Sequence, residues 1–221
     1  MRKGLTEIVF ILDRSGSMSG LEADTIGGYN ALMEKQKKEE GEALVSTVLF
    51  DDKIEVIHDR VALDKIPAMT EKEYYVRGCT ALLDALGGAI HHIGNVHKYA
   101  RDEDRPEKTL FIITTDGQEN SSHTYTYEKV KKMVERQKEK YGWEFLFLGA
   151  NIDAIAEAAR FGIAPERAVR YECDAVGTAV NFRALGKAVS KVRSCAAADV
   201  SEALSTGWKE EIEADYRKRG K

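Results

Sequence analysis

ILDRSGSMSG, residues 11–20, decides how the rest of the chain reads. An apolar run stops on a carboxylate, Asp13, and passes straight into two serines separated by one glycine. Ser15 and Ser17 follow Asp13 at i+2 and i+4, so a tight loop can turn all three side chains to one side. Gly16 accommodates backbone angles that a Cβ resists. Upstream, LTEIVFIL (5–12) predicts a buried strand. Downstream, residues 22–40 predict a helix with Ile26, Tyr29, Leu32 and Met33 on one face.

Further along, LVSTVLF (44–50) and KIEVIH (53–58) flank Asp51-Asp52, a hairpin spacing that implies one antiparallel edge strand. Residues 59–79 read as irregular. A helix beginning near Thr80 carries Leu82, Leu86, Ile90 and Ile93 on one face. Gly87 and Gly88 each cost that helix about 1 kcal/mol, which marks either close packing or a break. The charged RDEDRPEK (101–108) reads as a solvated connection, and TLFIITT (109–115) as a central strand ending on Asp116. A helix over 126–140, strand WEFLFLGA, helix DAIAEAARFG, strand AVRYE and a helix over 177–193 complete the alternation. This α/β pattern demands a mostly parallel sheet covered on both faces. Residues 1–195 form the expected domain and 196–221 a charged tail, where Trp208, Ile212 and Tyr216 recur every four positions. That spacing suits a further helix, packed back on the domain or docking elsewhere.

The chain has 221 residues, of which 43% are hydrophobic, enough for a single core. Lys and Arg total 33 against 37 for Asp and Glu, a net charge of −4 that argues against nucleic acid as partner. Three widely spaced cysteines without a CxxC pair suggest neither a disulfide framework nor a zinc site. Glu7 and Asp13 leave only Ile8 to Leu12 uninterrupted, too short for an export signal, and no apolar run reaches membrane-spanning length. The expectation is a cytoplasmic protein that does not engage a membrane.

Asp13 and Asp116 end strands expected to be neighbours, which places both carboxylates at the lip where open α/β sheets bind ligands. Two adjacent carboxylates repel unless a proton or cation lies between them. Ser15, Ser17 and Thr80 add neutral oxygens, and an all-oxygen set suits Mg²⁺, Mn²⁺ or Ca²⁺ rather than zinc. An octahedral ion wants six oxygens, so at least one position stays exchangeable. Local roles compete with this reading. Thr80 also suits a helix N-cap, with Asp84 on the same face, and Asp116 suits a turn with Gly117. Glu119 and Asn120 border the lip. His91, His92 and His97 converge poorly on a helix and read as solvated or capping. Cys79 reads as an inert thiol, and Trp143 and Phe145 as core.

DRSGS (13–17), GCTALLDAL (78–86) and ITTDGQEN (113–120) together resemble the von Willebrand factor A domains, whose metal ion-dependent adhesion site uses D-x-S-x-S, a downstream threonine and a D-G turn. The resemblance runs from about residue 5 to 193. It implies a Rossmann-like three-layer α/β/α sandwich with one antiparallel edge strand. It also implies a metal held by Asp13, Ser15, Ser17, Thr80 and Asp116, the serines directly and the aspartates often through water, and no catalytic residue. The resident ion would be Mg²⁺, with Mn²⁺ or Ca²⁺ possible, and a partner protein's Glu or Asp would fill the exchangeable position. Freestanding bacterial proteins of this kind work beside ATP-driven remodelling machines or in stress responses.

The function expected is therefore a non-enzymatic, cation-dependent protein-binding module. Ser15 has no identifiable histidine partner for nucleophilic catalysis. A rival reading is a magnesium-dependent phosphohydrolase using Asp13 as nucleophile. That chemistry wants a second aspartate at i+2, where Ser15 stands. Neither G-x-G-x-x-G nor G-x-x-x-x-G-K-[ST] occurs, although glycine-rich turns before helices do bind anions.

Overall fold

The computed structural model describes residues 1–205 and 207–219; residues 206, 220 and 221 of the expected tail lie outside the described residues. Six strands form one sheet: β1 (Arg2–Asp13), β2 (Glu42–Phe50), β3 (Ile54–Ala62), β4 (Pro106–Thr115), β5 (Glu144–Gly149) and β6 (Ala168–Arg170), in the order β3-β2-β1-β4-β5-β6. All pairs are parallel except β2 with β3. The helices are α1 (Glu22–Lys37), α2 (Leu82–Tyr99), α3 (Tyr127–Tyr141), α4 (Ala154–Arg160), α5 (Ala175–Ser194), α6 (Val200–Ser205) and α7 (Glu210–Arg219).

Strand β1 lies between β2 and β4, and from Leu5 onward every residue is buried, as an unbroken apolar run requires when helices cover both faces. Its side chains alternate between two cores. Ile8, Phe10 and Leu12 join Tyr29, Leu32 and Met33 of α1 and Leu185 and Val189 of α5. Val9 and Ile11 join Leu86, Ile90 and Ile93 of α2, Val130 and Val134 of α3, and Ala158 of α4. Trp143 and Phe145 lie in this second core, as expected. In the tail, Leu204, Trp208 and Ile212 enter the first core, so this segment packs back on the domain.

Several local expectations need correction. Strand β3 continues to Ala62, through residues expected to be irregular. Its register with β2 shifts around Thr47, and Arg60 adopts a left-handed φ of 51°, with its N–H donating to Ser46 Oγ at 3.0 Å. Such a bulge scrambles the period-two signal that marks a strand. Strand β4 begins at Pro106, inside the expected solvated connection, and Lys108 is buried with its Nζ donating to the Arg193 and Cys195 carbonyls. Helix α1 stops at Lys37 rather than 40, where the Arg193 guanidinium takes up the carbonyls of Gln36, Glu40 and Gly41. Helix α2 runs unbroken through both glycines. A Cβ at Gly87 would stand 2.4 Å from the Tyr125 ring, so Gly87 marks close packing. His97 is neither solvated nor capping: it is buried, with Nε2 2.5 Å from Oε2 of the buried Glu7, whose other oxygen pairs with Arg60 Nε at 2.7 Å.

Candidate metal centre

The sheet order reverses direction between β1 and β4, and these strands end on adjacent loops. Asp13 closes β1 and is 1% exposed, while Asp116 follows β4 and is also 1% exposed. A short 3-10 turn, Gly16–Met18, carries the serines over the strand end, with Ser15 buried and Ser17 exposed. Gly16 N–H donates to Gly78 O at 3.1 Å, which pins this turn to the segment leading to Thr80.

Hydrogen bonds join the motif segments directly. Ser17 Oγ donates to Asp116 Oδ1, and Ser15 Oγ lies 3.1 Å from Ser17 Oγ. Asp13 Oδ1 accepts from its own loop, Ser15 N–H at 2.7 Å, and Oδ2 accepts from Thr115 Oγ1 at 2.6 Å. A Cβ placed on Gly117 would be 3.5 Å from Ser17 Oγ and 3.6 Å from Thr80 Oγ1, so both hydroxyls border one small volume beside Gly117. All five residues singled out in the sequence are thus brought to one lip.

Thr80 does not cap α2, whose first turn is preceded by Ala81 with no side-chain cap. Its backbone instead exchanges two hydrogen bonds with Asn120: Thr80 N–H to Asn120 Oδ1 at 2.9 Å, and Asn120 N–H to Thr80 O at 3.0 Å. Glu119 accepts from Leu83 N–H at the start of α2 and from the N–H groups of Ser121 and Ser122. Asp84 accepts from the N–H groups of His123, Thr124 and Tyr125. These side chains fasten the Thr80 loop to the Asp116 loop, so Glu119 and Asn120 act as braces of the site.

Four contributors had not been singled out as site residues in the sequence. Thr115 and Tyr74 grip Asp13, the latter through its hydroxyl to Asp13 O at 2.6 Å. Arg14, the first variable position of D-x-S-x-S, is fully buried and bonds Asp51 Oδ2 and Glu55 Oε2, each at 2.8 Å, which anchors the serine loop to the β2–β3 hairpin. Cys173, in the connection from β6 to α5, directs Sγ to Asp116 Oδ2 at 3.4 Å. Only Thr115 carried a local signal, its place immediately before Asp116 at a strand end.

Burial pushes the Asp13 carboxyl up to about 6; hydrogen bonds from Thr115 and Ser15 oppose this, and the Asp116 charge adds to it. Burial likewise raises Asp116, against the hydrogen bonds from Ser17 and Cys173. The Cys173 thiol is pushed up to about 12 by burial first and the Asp116 charge second, so it is protonated. Among the described residues, no three His, Cys, Asp or Glu side chains gather as a metal cluster; the lip brings together two carboxylates and the hydroxyls of Ser15, Ser17 and Thr80.

No family model matches the chain, and no curated protein matches it significantly. Solved structures do. Proximal thread matrix protein 1 from the mussel byssus, with a zinc-occupied MIDAS motif, is 16% identical with a TM-score of 0.57, covering 84% of this chain and 46% of its own. A von Willebrand factor type A protein from Catenulispora acidiphila is 14% identical with a TM-score of 0.55, covering 84% and 42%. The manganese-loaded TRAP protein of Plasmodium vivax is 14% identical with a TM-score of 0.54, covering 81% and 73%. This chain thus spans less than half the length of the first two. With its parallel sheet, single antiparallel edge and helices on both faces, the chain has the fold of the von Willebrand factor A domains.

Proposed function

We propose that this chain is a non-enzymatic, divalent-cation-dependent protein-binding module, with Asp13, Ser15, Ser17, Thr80 and Asp116 as its metal site. The observation that carries this reading is the buried juxtaposition of Asp13 and Asp116 beneath the Ser15 and Ser17 hydroxyls. Two carboxylates taken out of water cost folding free energy when both are ionised, and a bound cation offsets that cost. The donors are oxygens of the kind hard cations prefer, which favours Mg²⁺ as the resident ion, with Mn²⁺ or Ca²⁺ as substitutes.

The bound cation would supply a Lewis-acidic position for a carboxylate from another molecule. With the aspartates acting through water, as the family resemblance implies, the ion's direct ligands would be neutral hydroxyls, so it would keep enough positive character to attract a partner's Glu or Asp. A protein partner of this kind, in the cytoplasm and in the setting of an ATP-driven machine or stress response, is the context we propose. No helix among the described residues is long and apolar enough to cross a membrane.

The phosphohydrolase reading is less well supported. Both Asp13 oxygens already accept hydrogen bonds, and the side chain is almost wholly buried, a poor disposition for an attacking nucleophile. The experiment is thermal unfolding with and without Mn²⁺, on the parent chain and Asp116→Ala. Saturation at a hundred times Kd stabilises the parent by about 2.7 kcal/mol, and the variant loses the response. Equal responses in both proteins would place the metal elsewhere.

A further inference from the structure

Each carboxylate oxygen of Asp13 and Asp116 has its own donor. Asp13 receives the Ser15 N–H at 2.7 Å and the Thr115 hydroxyl at 2.6 Å. Asp116 receives the Ser17 hydroxyl on Oδ1 and the Cys173 thiol, at 3.4 Å, on Oδ2. Three of these donors belong to the segments that carry the proposed ligands. The fourth comes from the connection between β6 and α5, 57 positions further along the chain from Asp116.

That connection is held in place on both sides of the thiol. Tyr171 N–H donates to Gly149 O at 3.2 Å, and Asp174 caps α5 by accepting from Gly177 N–H at 2.7 Å. Asp174 also pairs with Arg219 of α7. A Cβ at Gly177 would fall 1.9 Å from the Glu172 carbonyl, so the backbone itself closes tightly around this turn. Cys173 is therefore presented by a constrained segment, and its thiol meets the Asp116 oxygen that Ser17 does not use.

We propose that Cys173 is a positioning residue for Asp116, its thiol fixing Oδ2 so that Oδ1 stays with Ser17 at the cation position. This rests on the metal-site reading above. A thiol is a weak donor compared with a hydroxyl. It therefore orients the carboxylate while withdrawing little of the negative charge that a cation needs. Asp13, gripped by a hydroxyl and a backbone N–H, is the more fully satisfied of the two anions. Outer partners that orient metal-binding side chains typically change metal affinity by 10- to 100-fold, and a weak donor belongs at the lower end.

The test measures Mn²⁺ affinity from the EPR signal of free Mn²⁺, for the parent, Cys173→Ala and Cys173→Ser, alongside the metal-free melting temperature of each. Cys173→Ala should bind Mn²⁺ about tenfold more weakly. Cys173→Ser, which restores a donor, should recover most of that loss. An unchanged affinity in Cys173→Ala overturns the positioning role while leaving the metal site standing. Equal weakening in both variants, matched by equal loss of metal-free melting temperature, reduces Cys173 to packing and overturns it too. If the parent itself binds no Mn²⁺, the metal-site reading fails first and this inference falls with it.

Discussion

The Thr115 hydroxyl donates a 2.6 Å hydrogen bond to Asp13 Oδ2 and so stitches the end of β4 to the end of β1, one residue before Asp116. This contact bridges 102 positions and holds the two acidic loops in register with one another. Thr115→Val keeps the shape and removes the donor, leaving one buried carboxylate oxygen unpaired. The expected loss is about 1–3 kcal/mol in metal-free urea denaturation. An unchanged midpoint would mean that water or a rearranged neighbour replaces the hydroxyl.

Arg14 and Arg77 both bond Asp51 Oδ2 through Nε at 2.8 Å, yet their substitution should differ sharply. The Arg14 side chain is fully buried, whereas that of Arg77 is 37% exposed. Arg14→Leu strands a buried acid and frees the serine loop, costing about 3–5 kcal/mol, nearer the lower figure because Arg77 still pairs with Asp51. Arg77→Ala should cost much less, because an exposed ion pair is screened by water and contributes little. Similar denaturation midpoints for the two variants would contradict this division of roles.

Adjacent glycines in α2 predict opposite outcomes. A Cβ at Gly87 meets the Tyr125 ring at 2.4 Å, while one at Gly88 meets nothing within 4 Å. Gly87→Ala is expected to destabilise by about 1–3 kcal/mol through overpacking. Gly88→Ala should stabilise by up to about 1 kcal/mol through helix propensity. Calorimetry on the two single variants decides, and a stabilising Gly87→Ala would show that Tyr125 moves aside freely.

His58 should make stability depend on pH. Burial holds its imidazole below the usual 6.5, against the field of Glu73, and its Nδ1 lies 3.1 Å from Thr47 Oγ1 and 3.4 Å from the Tyr29 hydroxyl. The unfolded chain therefore binds the proton more tightly than the folded one. The stability of the neutral, folded form is fully present above 6.5 and is lost as pH falls through the lower folded value. In an NMR titration, the His58 ring protons should show a midpoint below 6.5; one at 6.5 would remove the effect and one above it would reverse the sign.

Much of this architecture was legible because it is locally encoded. Most strands read from their own apolar runs, most helices from their own periodicity, and Asp13 and Asp116 from their place at strand ends, whereas the short α6 carried no such signal. The braces around the site were not legible. Asn120 clasps Thr80 and Glu119 binds the start of α2, but neither partner can be read from a polar loop alone. Strand β3 beyond His58 was hidden by the bulge at Arg60, which breaks the alternation that marks a strand.

By itself the sequence determined the alternating α/β order and the oxygen-bearing residues at its strand ends, since both depend on spacings of a few positions. Tertiary structure alone decided which donors hold those oxygens: Thr115 and Tyr74 on Asp13, Cys173 on Asp116, and Arg14 reaching Asp51. It also placed Glu7 against His97 in the interior. The physical reason is that a buried polar group must find its partner wherever packing brings one. These pairings span 37 to 102 positions, and no local pattern carries them.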